Sequence, residues 1–309
     1  MIFIQNFLKM KGIRFMHYSN KKNLILSFSL LVTTFFAVSA IAEDRPNISP
    51  DEVNTFTDMC PKEEFVDGQS TKFGHTVILV DTTSGFGPEQ FTLMDRLIFN
   101  ERKLISIPPY DRISILNLDG QEIQASENRY IFSKCRPRNG IDNSSYKLDH
   151  GSFWDPVAKM KRNWRLFVSG LDATKEKLSI DNVGNFTQLL EQIKELSRIP
   201  DLMFDESYTS RKLIIVSDLL QYSDNLEFVN QCVNKKSCSS WSRIKKNRKN
   251  KVWIEAMKPD FGKQSIEVEI IYLNSQADPK LTIGLTDLWR DYFADIGIDN
   301  IKFEYETST

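Results

Sequence analysis

Apolar residues in this chain fall into short runs separated by polar punctuation. In the strand read over His75 to Val80, Thr76 to Val80 (TVILV) is a continuous apolar and β-branched run that stops at Asp81. Arg112 to Leu118 (RISILNL) stops at Asp119-Gly120, and Arg211 to Ser217 (RKLIIVS) stops at Asp218. Runs without polar alternation predict strands covered on both faces, as in parallel sheets. Arg129 to Lys134, Ile266 to Leu273 and Asn300 to Tyr305 read as further strands. Only Asp119 to Asn128 separates the second strand from the third, so this pair is expected to be antiparallel.

Helical periodicity fills the gaps. Gln90 to Glu101 repeats through Phe91, Met94, Leu97 and Ile98, and Pro108-Pro109 ends that element. Phe153 to Gly170, Asn185 to Ile199 and Leu226 to Val233 also read as helices. Thr282 to Ile296 carries Ile283, Leu285, Leu288, Trp289, Tyr292 and Phe293. Phe86 to Glu89 reads as a turn and Cys135 to Asp149 as a loop. The alternation predicts an α/β class, a Rossmann-like, doubly wound, mostly parallel sheet with one antiparallel edge strand. Residues 43–72 are polar, with Pro46, Pro50, Pro61 and Gly68, and read as an extended lead-in to one domain over 73–309.

The first 42 residues differ from the rest. They carry Lys9, Lys11, Arg14, Lys21 and Lys22 and no acid. Lys21-Lys22, the apolar stretch Leu24 to Val38 and Ala40-Ile41-Ala42 before Glu43-Asp44 form the pattern of a cleaved export signal. Met10 and Met16 are alternative starts, and Met16 would give a leader of more usual length. The alternative is a membrane anchor, since 24–42 is just long enough to span. Export places the body in the periplasm or outside the cell. Without those five basic residues, the 40 Lys and Arg against 41 Asp and Glu leave the body at a net of about −6. An acidic body lacks the basic footprint of a general nucleic-acid binder.

Cys60, Cys135, Cys232 and Cys238 are the four cysteines. An even number in an exported chain predicts two disulfides, with three pairings open. One joins Cys232 to Cys238 across a short loop and ties Cys60 to Cys135. Free buried thiols are the alternative. A zinc site is disfavoured, because no CxxC occurs and only His75 and His150 follow the leader.

In open α/β sheets, ligands bind beyond the carboxyl ends of the strands. Asp81, Thr83, Thr187 and Asp218 sit at such ends or near the start of a helix. Asp81-Thr82-Thr83-Ser84-Gly85, Gly184-Asn185-Phe186-Thr187 and Val216-Ser217-Asp218 together resemble the von Willebrand factor A family. The resemblance spans Gly74 to Tyr305 and implies that Asp81, Thr83, Thr187 and Asp218 line a metal-ion-dependent adhesion site. Mg²⁺ is the ion such hard oxygen donors suit, and an acidic group of a protein partner would complete its shell. Gly85 stands where the family has its last hydroxyl, so the site is a degenerate one. Ser217-Asp218-Leu219-Leu220-Gln221 and Trp289-Arg290-Asp291-Tyr292-Phe293 are similar to exported bacterial members of the family carried on mobile elements. Without a metal, Asp81 and Asp218 would serve as local caps, and the domain would be a structural scaffold.

An enzyme reading uses the same strand end. Asp81 resembles the phosphoryl nucleophile of haloacid-dehalogenase-like phosphatases, but Thr83 replaces their second Asp, the general acid. No GxSxG, GxxxxGK[ST], HExxH or GxGxxG occurs. The sequence therefore predicts a non-enzymatic binding or assembly module. One further feature stands out: Arg243 to Lys251 (RIKKNRKNK), whose cations Arg243, Lys245, Lys246, Arg248, Lys249 and Lys251 read as a solvated loop or as a peripheral contact with an anionic membrane or acidic partner. The sequons at Asn47, Asn143 and Asn185 would matter only in a eukaryotic secretory route.

Overall fold

A computed structural model describes residues 53, 55, 57–61, 73–83, 87–118, 130–140, 156–178, 187–198, 208–228, 232, 238–262, 265–273 and 279–305. All lie in the compact unit Ile48–Thr309. The leader, the alternative anchor 24–42, Gly85, the segment 184–186, His150 and the sequons lie outside the described residues.

The sheet has six strands. In chain order they are β1 (His75–Asp81), β2 (Arg112–Leu118), β3 (Tyr130–Cys135), β4 (Arg211–Ser217), β5 (Glu267–Tyr272) and β6 (Ile301–Tyr305). Their spatial order is β3-β2-β1-β4-β5-β6. Every neighbouring pair is parallel except β2 with β3, which are antiparallel and place β3 at an edge. The chain winds outward from β1 to β3, returns to the other side of β1 for β4, and winds outward again. The strand order therefore reverses between β1 and β4, the switch point at whose carboxyl edge open α/β sheets bind ligands.

Strand alternation divides the core in two, as a sheet covered on both faces requires. Val77, Leu79, Leu213, Ile215, Val268 and Ile270 face one layer of helices. That layer holds α4 (Leu189–Leu196), α5 (Trp241–Lys246), α6 (Arg248–Ala256) and α7 (Pro279–Asp295). Ile78, Val80, Ile113, Ile115, Val216 and Ile271 face the other layer. There α1 (Pro88–Met94), a π-helical turn (Asp95–Phe99), α2 (Glu101–Ser106) and α3 (Pro156–Leu178) cover the sheet.

Several boundaries differ from the sequence reading. The helix expected over Gln90 to Glu101 runs from Pro88 to Ser106 with a break at Asn100, whose side chain accepts from the Arg102 amide and caps α2. The helix expected over Phe153 to Gly170 extends to Leu178, because Leu171 and Leu178 continue its buried face. Leu226 to Val233 does not start as a helix: Glu227 forms a β-bridge with Tyr222. The basic stretch is helical rather than a loop. Trp241, Ile244 and Ile254 bury one side, and the Asn247 side chain accepts from the Lys249 amide to start α6.

Both disulfides form. Cys60 pairs with Cys135 and Cys232 with Cys238. The first binds the lead-in to the end of β3, where the Cys135 amide also donates to the Asp58 carbonyl. The second packs on α7, where a Cβ on Gly284 would stand 3.1 Å from Cys238 Sγ. Among the described residues, no helix is long and apolar enough to cross a membrane.

Candidate functional site

β1 delivers Asp81 to the carboxyl edge at the switch point. The register sets it opposite Leu118 of β2, and on the β4 side Val80 pairs with Val216, which brings Ser217 level with Asp81. Asp81 is only 6% exposed. Its Oδ1 accepts from the Thr83 amide at 3.1 Å and from Thr83 Oγ1 at 2.5 Å. Its Oδ2 accepts from Ser217 Oγ at 2.7 Å. The amide bond closes an Asx turn at the strand end.

A second hydroxyl lies behind the first. Thr83 Oγ1 and Thr187 Oγ1 are 2.6 Å apart. The single Thr83 hydroxyl proton goes to Asp81, so the Thr187 hydroxyl donates to Thr83. Thr187 is held by paired backbone bonds with Tyr222, 2.9 Å and 2.8 Å, just before α4 begins. The structure thus brings together Asp81, Thr83 and Thr187, which the sequence had singled out, and adds Ser217, which it had not.

Asp218 is placed differently. Its Oδ1 accepts from the Leu220 amide at 2.9 Å, a local turn. Its charge, after burial, helps push up the pKa of the Tyr272 hydroxyl on β5. Ser217, one residue earlier, is the β4 residue that reaches the Asp81 carboxylate. Extended strands send neighbouring side chains to opposite faces, so Ser217 shares the face of Asp81. The missed signal was register: a serine ending a buried strand beside β1 aligns with the strand-end aspartate.

The turn after β4 is held from α7. Leu219 adopts φ +64°, an uncommon conformation for a side chain of its size. Its amide donates to Ser217 Oγ at 2.8 Å, and its carbonyl accepts from Trp289 Nε1 at 3.0 Å. Gln221, fully buried, reads the same loop. Its Oε1 accepts from the Leu190 amide at 3.0 Å and its Nε2 donates to Glu191 Oε2 at 2.9 Å. Such over-determined backbone is common where a site must be held in one geometry.

Burial raises the Asp81 pKa, and the bonds from Thr83 and Ser217 only partly offset it. No Lys or Arg is among its hydrogen-bond partners. A carboxylate offers about four lone-pair positions. Three are taken, which leaves one open on Oδ2. Thr83 Oγ1 and Ser217 Oγ each accept one hydrogen bond, from the Thr187 hydroxyl and the Leu219 amide, which leaves each hydroxyl a further lone pair. The donor set is all oxygen and fits a hard cation such as Mg²⁺, which keeps several waters and needs only one or two carboxylates. Among the described residues no group of three or more His, Cys, Asp or Glu converges.

The strand-end cluster joins three of the four residues that the resemblance singled out, Asp81, Thr83 and Thr187, with Ser217. The fold is the Rossmann-like, mostly parallel α/β sheet with one antiparallel edge strand that the resemblance implies. No family model and no curated protein matches the chain. Among solved structures it is similar to an aerotolerance-related membrane protein from Bacteroides fragilis, at 12% identity and TM-score 0.32, over 75% of this chain and 92% of that one. It is also similar to the pilus adhesin SpaC from Lactobacillus rhamnosus GG, at 12% identity and TM-score 0.34, over 78% of this chain and 29% of that one. A third is the human COPII-coat protein Sec24c, at 8% identity and TM-score 0.34, over 77% and 30%. The chain spans under a third of the length of the latter two.

Proposed function

We propose that this chain is an exported protein-binding or assembly module that works through a small Mg²⁺ site at the switch point, without catalysis. The observation that carries the reading is the buried Asp81 carboxylate, ringed by inward-pointing hydroxyls with one acceptor position open and no cation bonded to it. Asp81, Thr83, Thr187 and Ser217 would hold the ion directly or through water. Asp218, one residue further along, would contribute through water. The ion would supply a positive charge at the rim to receive an acidic group of a partner. Both disulfides suit an oxidising compartment.

The phosphohydrolase alternative asks Asp81 to attack phosphorus. Such phosphatases also need a second Asp as general acid, and Thr83 stands in its place. Thermal unfolding with and without Mg²⁺ tests the reading, because a ligand of the folded state raises Tm. Wild type is expected to gain stability with Mg²⁺ and Thr83→Val to gain none. Equal response of the two, or none in wild type, would leave a metal-free scaffold. Turnover of p-nitrophenyl phosphate that Asp81→Asn abolishes would favour the enzyme.

A further inference from the structure

α5 and α6 carry a second, unrelated surface. Arg243, Lys246, Arg248, Lys249 and Lys251 are all exposed. Lys245 alone among the cations of this pair is tied down, by Asp295 and more distantly by Glu255. Glu255 is the one acid on either helix. On α6, Asn250 and Ile254 face inward. Four residues apart, Arg248 and Val252 share the opposite row. Val252 is 78% exposed, the most exposed of the large apolar residues on the described surface. Lys249 and Lys251 flank that row on either side. The result is an apolar crest set among cations on a body of net negative charge.

We propose that α5 and α6 form a docking face for an anionic lipid surface. A cluster of exposed cations suits a plane of phosphate headgroups, and each Lys or Arg near such a plane adds to the attraction. A solvent-facing valine amid cations has no role in binding a purely acidic protein surface. At a bilayer it enters the headgroup layer while the cations stay at the phosphates, as in interfacial helices. This proposal is independent of the Mg²⁺ site, which uses none of these residues.

The test is co-sedimentation of the full chain with vesicles of phosphatidylcholine alone, and with about one-third phosphatidylglycerol. Wild type is expected to bind the anionic vesicles selectively and to be released as salt rises, since screening shortens the field. Arg248→Glu, Lys249→Glu and Lys251→Glu together should weaken that binding about tenfold or more with Tm unchanged. Val252→Ser should weaken it by a smaller factor without changing its salt dependence. Comparing variants within the same full chain cancels any contribution of the leader. Equal binding to both vesicle types, or a charge-reversed triple variant that binds like wild type, would overturn the proposal. So would a wild type that ignores vesicles yet is retained by immobilised polyglutamate, which would assign the face to an acidic protein.

Discussion

The two ends of β1 are both polar and both buried, and they are finished in opposite ways. At the amino end, His75 Nε2 and Ser114 Oγ are 2.9 Å apart, and Ser114 reaches Ser133 at 3.0 Å. Arg112 donates to Ser133 Oγ at 3.1 Å and to Asp58 Oδ2 at 3.0 Å. Charge meets opposite charge there, and the Cys60–Cys135 bond closes the cluster from outside. Gly74 admits no side chain: a Cβ would lie 2.5 Å from Asp111 Oδ2 and Ser210 Oγ. At the carboxyl end, Asp81 has hydroxyls and one amide for company and no bonded cation. One strand thus has a completed end and an end with a negative charge held only by dipoles. The first is what stability selects. The second costs stability, which makes it the end to examine for function.

The largest expected effect tests the completed end. A disulfide removes loop-closure entropy from the unfolded chain in proportion to the logarithm of loop length. Cys60 and Cys135 are 75 residues apart, and Cys232 and Cys238 only 6. Replacing the first pair by serine is expected to cost about 4 kcal/mol, and the second about 2 kcal/mol. Urea unfolding of the two double variants measures both. If the short pair mattered more, the amino end would not be the closed one.

A smaller effect separates the ends directly. Ser217→Ala strips one donor from a buried carboxylate and leaves the Leu219 amide without its acceptor. Such a loss costs about 1–3 kcal/mol. Ser114→Ala removes the bonds to His75 and Ser133 and should cost about 1 kcal/mol. Denaturation midpoints at unchanged slope would rank them. A larger loss from Ser114→Ala would mean that the amino end carries the more strained polar group.

Much of this architecture was legible in the residues. Arg112–Leu118 and Arg211–Ser217 begin and end where their mostly apolar runs do, because strands covered on both faces are apolar over most of their length. The antiparallel β3 followed from a short connection. The basic helices α5 and α6 were misread because six cations in nine residues hide the apolar positions Trp241, Ile244 and Ile254 that anchor them. Ser217 was passed over because its importance is a matter of register between strands 136 residues apart, which local pattern does not encode. The strand-end motif pointed to Asp218, while pairing with β1 selects the residue before it.

The smallest expected effect has the most informative sign. The folded chain holds the Asp81 proton more tightly than the unfolded chain does, because burial raises its pKa. With divalent cations chelated, ionising Asp81 therefore subtracts stability as pH rises through its folded value, and the penalty vanishes below the ordinary carboxylate range of about 4. Asp81→Asn is nearly isosteric. Its amide can still accept from Thr83, and Ser217 Oγ has a lone pair to receive its N–H. The variant is thus expected to match wild type in acid and to become the more stable of the two toward neutral pH in chelator. Mg²⁺ at neutral pH should reverse that order, since only the carboxylate supplies the charge a hard cation needs. Calorimetric Tm across pH, with chelator and with Mg²⁺, reads both halves. A wild type whose advantage over Asp81→Asn grows with pH in chelator would show Asp81 already compensated by a protein cation. The carboxyl end of β1 would then be finished in the same way as the amino end.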